Sequence, residues 1–213
     1  ITSMSEPTVV KLYYGDVNKC KLILKKYISN KNLHLMITSK HTRHYDLSIF
    51  DNVKHLTVDC HVKSIHSKSK TDQLISLIIL KNFPILPSMM SLITLTCDNT
   101  NVPYIPTLNN LKYLKTNCVP VIQYQPVLEE LDVGYNTNLK FLPDTPMLKM
   151  LICNDTLCKD LPSYDHLEYL LCFKTEIYAI PKSVCKTLLR CFTTLIPVFN
   201  TKPNNMVEFF NET

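Results

Sequence analysis

Glycine is the scarcest informative residue here. Gly15 and Gly134 are the only two in 213 residues, where an average chain would hold about fifteen. Dinucleotide fingerprints and phosphate-cradling loops need several glycines to turn tightly around a phosphate, so both are excluded. No apolar run approaches the roughly 20 residues of a membrane-spanning helix. The opening ITSMSEP has no apolar signal region, and Met4 reads as the natural start. The nine cysteines are an odd number in a long chain, which argues against a disulfide framework and for a reducing, cytoplasmic setting. No Ser-His-Asp set or pair of carboxylates stands out, so the chain is read as a non-enzyme, with no cofactor and no small-molecule substrate.

What the sequence has is a period. Residues 128–151, LEELDVGYNTNLKFLPDTPMLKML, carry Leu-x-x-Leu-x-Val, a turn at Asn136 and Leu142-Pro143 before Leu148 begins again. Openings recur at Val53, Leu74, Leu92, Leu111, Leu128, Leu148 and Leu167, with a degraded copy at Leu188. Fourth positions are Leu56, Leu77, Leu95, Leu114, Leu131, Leu151, Leu170 and Cys191. Sixth positions are Val58, Ile79, Cys97, Thr116, Val133, Cys153, Cys172 and Thr193. Fixed-spacing self-similarity marks a stacked repeat protein, because one unit cannot cover its own leucines. Cys97, Cys153 and Cys172 would be stacked core thiols. Pro87, Pro106, Pro143, Pro162 and Pro181 close most units, so their return segments should run extended or polyproline-II-like.

This register resembles the leucine-rich repeat family, Leu-x-x-Leu-x-Leu-x-x-Asn-x-Leu, over residues 53–195. The short units ending in Leu-Pro are similar to the subtype of bacterial secreted effectors and large DNA viruses. At the ninth position Asn82 and Asn136 fit the family's asparagine ladder; Thr100, Thr156 and Thr175 replace it, and His61 and Val119 break it. Threonine can still bond a nearby backbone group. The resemblance implies a β-rich α/β solenoid, a horseshoe arc with a parallel concave sheet and an extended convex side. One domain is expected over 1–213: an N-terminal cap and first strand over 4–52, repeats over 53–195 and a C-terminal cap over 196–213. Within the first, Thr8 to Tyr14 reads as a strand and 16–28 as a helix capped by Asp16, since Val17, Cys20, Leu24, Tyr27 and Ile28 recur at helical spacing. Leu33 to Thr38 supplies the first ladder strand.

In the family, the third, fifth and seventh positions face out from the concave sheet. Here they run from His55, Thr57 and Asp59 through Tyr113, Lys115 and Asn117 to Glu130, Asp132 and Gly134. The last repeats give Met150, Ile152 and Asn154, then Tyr169, Leu171 and Phe173. A polar centre thus passes into an apolar patch, and exposed apolar area of this kind marks an interaction site. The expected function is protein–protein interaction through Tyr113, Lys115, Glu130, Asp132, Met150, Ile152, Tyr169, Leu171 and Phe173, with the partner unknown. The competing expectation is that Phe199, Phe209 and Phe210 of the tail fold back over the patch.

Other features carry less. Residues 19–70 hold 11 Lys or Arg against 3 Asp. A nucleic-acid or anionic-surface binder acting through this basic end is therefore the second reading. Five of the seven histidines fall between His41 and His66. His41 and His44 could pair on zinc, but no second pair is evident, and surface or structural roles are expected instead. Cys153-Asn154-Asp155 resembles the Cys-x-Asp motif of effector ubiquitin ligases. A thiol at a core position has no base, and too little chain follows for such a catalytic domain. The abundance of Lys, Asn and Ile suggests an AT-rich genome, compatible with a large DNA virus, an amoeba or a low-GC bacterium. The resemblance alone implies a role in host interaction, in host cytoplasm.

Overall fold

The computed structural model describes residues 8–13, 22, 25–26, 33–39, 43–46, 53–66, 73–86, 89–187, 190–193, 198–199 and 208–211. Its frame is an 11-stranded parallel sheet. The strands are β1 (Thr8–Tyr13), β2 (Leu33–Thr38), β4 (His55–Asp59), β6 (Ser76–Ile79), β7 (Thr94–Thr96) and β8 (Tyr113–Lys115). They continue as β9 (Glu130–Asp132), β10 (Met150–Ile152), β11 (Tyr169–Cys172), β13 (Arg190–Thr193) and β15 (Glu208–Asn211). Each lies beside the next in chain order. The chain is therefore a parallel-stranded solenoid of stacked coils, rich in β-structure and poor in helix.

The repeat register explains the stacking. Fourth positions are Cα partners from coil to coil: Leu56 with Leu77, Leu77 with Leu95, Leu95 with Leu114, and onward through Leu131, Leu151 and Leu170. All seven are buried, as are the seven openings from Val53 to Leu167 and the sixth positions from Val58 to Cys172. Each buried leucine contributes roughly 1.5–3 kcal/mol of apolar transfer, and none could be covered within its own coil. On the return side, Ile105 and Ile122 form a parallel bridge. Polar side chains stitch the coils there. Buried Gln125 accepts from the Leu108 amide at 3.1 Å and donates to the Pro106 carbonyl at 2.8 Å. The buried Tyr164 hydroxyl donates to the Pro143 carbonyl at 2.7 Å.

The ninth position divides as the residue types require. Asn136 is fully buried, donates to the Val119 carbonyl at 2.8 Å and accepts from the Asn138 and Leu139 amides, both at 3.2 Å. It links two coils. Thr100, Thr156 and Thr175 are shorter, and each hydroxyl donates to the carbonyl three residues back, at 3.2, 2.7 and 2.9 Å. Where Val119 interrupts the row, Cys118 substitutes: its thiol donates to the Cys97 carbonyl at 3.3 Å and accepts from the Thr100 amide at 3.2 Å.

One position earlier, four coils place a non-glycine residue in the left-handed region: Asn99 (φ 54°), Tyr135 (63°), Asp155 (55°) and Lys174 (52°). That backbone is costly for Tyr and Lys. It turns the Tyr135 amide onto the Asn154 carbonyl and the Asp155 amide onto the Phe173 carbonyl, both at 2.8 Å. The Asn99 amide instead donates to the Asn117 side-chain oxygen, at 2.7 Å.

The ladder extends to both ends of the described chain. Residues 8–13, read as part of a cap, are themselves a rung, with Val10 and Leu12 buried opposite Leu35 and Ile37. Alternation put a strand there; its parallel pairing comes from the stack. Of the helix expected over 16–28, only Leu22, Lys25 and Lys26 are described, and all three are helical. The polar return after β2 holds β3 (Arg43–Asp46), which pairs with β5 (Val62–His66) in a separate two-stranded sheet. The degraded copy at Leu188 keeps register, since Cys191 pairs with Leu170 and Thr193 with Cys172. Beyond it, β14 (Val198–Phe199) joins β12 (Ala179–Ile180) on the return side. β15 then extends the main ladder with Phe209 opposite Cys191. The described residues of the tail thus form one return-side strand and one further ladder strand. A short helix α1 (Lys182–Thr187) follows Pro181, where a proline's fixed φ suits a helix start.

Candidate functional site

The outer face of the main sheet is written by the same alternation that builds the core. Because successive side chains on a strand point to opposite faces, burying Leu114, Leu131, Leu151 and Leu170 turns their neighbours outward. The sheet pairs Tyr113 with Glu130, Glu130 with Met150 and Met150 with Tyr169 in one row. It pairs Lys115 with Asp132, Asp132 with Ile152 and Ile152 with Leu171 in the next. Eight of the nine candidate residues thus stand in two rows of four. The ninth, Phe173, lies just past the end of β11 and is half-buried. Glu130 is exposed and the others are half-buried.

Charge on this face is unevenly met. Lys115 Nζ donates to Asp132 Oδ2 at 2.9 Å. Asp98, at the end of the neighbouring coil's strand segment, accepts from the Asn117 backbone amide, while its Oδ1 has no hydrogen-bond partner. Burial holds the Asp98 carboxyl above its usual range, Lys115 pulling it down and Asp132 pushing it up. The Tyr113 phenol is also pushed up, first by burial and then by Asp132, Glu130 and Asp98 against Lys115. Lys115 itself is raised by its bond to Asp132. Two carboxylates, Asp132 and Asp98, therefore act on one ammonium.

The adjacent carboxylate behaves in the opposite way. Glu129 stands off this face and accepts from Lys112 at 2.8 Å and Lys149 at 2.9 Å. Those two ammonium groups hold its carboxyl down at about 2. Gly134 leaves room for its neighbours: a Cβ there would stand 2.8 Å from Asn154 Oδ1 and 3.3 Å from Asp132 Oδ1, so those side-chain ends would have to shift.

At the N-terminal end of the face His34 and His55 lie with ring centroids 6.4 Å apart. Thr57 Oγ1 is 2.7 Å from His34 Nε2. Burial, and after it the nearby His34 and Lys54, lower the His55 pKa. Lys81 pairs with Asp59 at 3.0 Å. His41 and the lysines 68 and 70 lie outside the described residues, as do the side chains of His44, His66 and Lys63. Among the described residues no group of three or more His, Cys, Asp or Glu converges as metal ligands, and no helix is long and apolar enough to cross a membrane.

Periodicity does not reveal several of the most exposed large apolar side chains among the described residues. Phe141 (78% exposed), Tyr135 (70%) and Tyr178 (61%) lie on turns and return segments. A groove of about 350 Å³ there is lined by Lys140, Phe141, Leu157, Lys159, Asp160 and Glu176. These positions vary in type from coil to coil, so repetition carries no signal for them. Asp98 stands at the seventh position of its unit, and its orphaned oxygen depends on which partner Lys115 takes. No protein-family model and no curated protein matches the chain.

Proposed function

We propose that this chain is a leucine-rich-repeat scaffold, without catalytic activity, that binds a protein partner through the outer face of its ladder. On this reading the sheet forms the concave side of an arc and the end segments cap it. The observation that carries the proposal is the double row from Tyr113 to Tyr169 and from Lys115 to Leu171, fixed in one register by main-chain pairing. A surface preorganised in this way binds without a large ordering cost. Half-buried Met150, Ile152 and Leu171 supply the apolar and adaptable contacts common at the centres of interfaces.

Capture of binding proteins by the wild type and by Leu171→Asp tests the reading. The variant should lose specific partners while keeping its fold, because Leu171 is only half-buried. Unchanged capture by a folded Leu171→Asp protein would rule this face out.

A further inference from the structure

We infer that the occupant of this face is an extended protein segment that sets one Lys or Arg side chain against Glu130 and an apolar side chain over Ile152 and Leu171. The inference rests on the docking reading above and adds the chemistry of the partner.

Charge complementarity selects the cation. Two neighbouring carboxylates, Glu129 and Glu130, are treated differently by the fold. Glu129 holds two lysines, whereas Glu130 is exposed on the outer face and makes no ion pair with any described lysine. Lys115, the one cation in the facing rows from β8 to β11, is committed to Asp132. Asp98 adds a further carboxylate with an unpartnered oxygen. Among the described side chains of these rows an incoming cation would meet more carboxylates than ammonium groups, and a phosphate would be repelled.

The apolar half follows from register. Met150 is the Cα partner of Glu130, and Ile152 that of Asp132 and Leu171. Neighbouring strands lie about 4.8 Å apart and alternate residues about 6.8 Å. Glu130 and Ile152 are thus separated by about 8 Å, or two to three residues of extended chain. The aliphatic stem of a Lys or Arg can lie along Met150 while its head reaches Glu130. Arg would also present its planar face to the neighbouring Tyr113 ring. A basic residue two or three positions from an aliphatic or aromatic one is the pattern that fits.

The test is selection from a displayed library of random short peptides against the full chain, followed by affinity measurements on an enriched peptide. Enrichment of the basic-apolar pattern is expected. Binding should weaken about tenfold on Glu130→Gln and more on Glu130→Lys, with Glu129→Gln unchanged as a neighbouring control. Ile152→Thr and Leu171→Thr should each weaken it as well, with thermal unfolding of every variant confirming the fold. Peptides that depend on Ile152 and Leu171 but are acidic, or indifferent to Glu130→Gln, would overturn the cation and leave the docking face standing. Peptides indifferent to all of these changes, or a library yielding no binder, would count against both. An oligonucleotide that binds more tightly to Glu130→Lys than to the wild type, at this face and in place of peptides, would also overturn the inference.

Discussion

Leu171 is the Cα partner of Ile152 across β10 and β11, while its chain neighbour Leu170 is fully buried on the opposite side of the same strand. One residue therefore separates a core position from a surface position. Leu170→Ala should cost about 2–5 kcal/mol in denaturant unfolding, as large-to-small core changes do. Leu171→Ala should cost about 1 kcal/mol or less. Equal losses at the two positions would mean that Leu171 is part of the core.

The two solutions at the ninth position should differ in energy. Asn136→Ala removes one donor and two acceptor contacts at a buried site linking two coils. Thr156→Val removes only local contacts within one coil, chiefly the bond to the Cys153 carbonyl. A net buried hydrogen bond is worth about 1 kcal/mol, and orphaned groups cost more. Asn136→Ala should therefore destabilise by about 2–4 kcal/mol and Thr156→Val by about 1 kcal/mol, read from urea midpoints.

How much of this was legible in the sequence follows from what repeats. Leu95, Leu114, Leu131, Leu151 and Leu170 sit at equal positions in successive units, and each is an inward partner of the next. Their alternation also placed Met150 beside Tyr169 and Ile152 beside Leu171. Residues 8–13 and 208–211 lack the Leu-x-x-Leu opening, so their place as outer rungs is set by backbone pairing to neighbours, which no local pattern encodes. Tyr135 and Lys174 at positive φ carry no glycine or asparagine signal. Cys118, at an eighth position, makes its contacts through a thiol that no periodic signal marks.

The buried thiols give an alkaline prediction. Burial pushes Cys97 from 9.0 up to about 12 and also raises Cys153 and Cys158. A raised folded-state value contributes stability that is complete below the unfolded value, near 9, and is lost as pH rises through the folded one. With reductant present, unfolding free energy should hold up to about pH 9 and then fall by up to about 1.4 kcal/mol per pH unit per thiol. Cys97→Ser should show a shallower decline. Maleimide should spare Cys97, Cys153 and Cys172 in the native protein and reach them after denaturation, because all three are buried.

At the acid end Glu129 works in the other direction. Lys112 and Lys149 lower its carboxyl from 4.5 to about 2, so its contribution is present above the unfolded value and is lost as pH falls from there through about 2. Both ion pairs are on the surface and are weakened by salt. Carbon-detected titration of Glu129 should report the low value, and Lys112→Ala combined with Lys149→Ala should return it towards the ordinary carboxylate range.

The central claim is that partners dock on the outer face of the ladder, and site-specific photocrosslinking tests it most directly. A photoreactive residue replacing Met150, in the row between Glu130 and Tyr169, should trap the captured partner. The same residue replacing Phe141, an exposed aromatic side chain lining the return-side groove, should not. Crosslinks at 141 without crosslinks at 150 would place the interface on the return side and contradict the account.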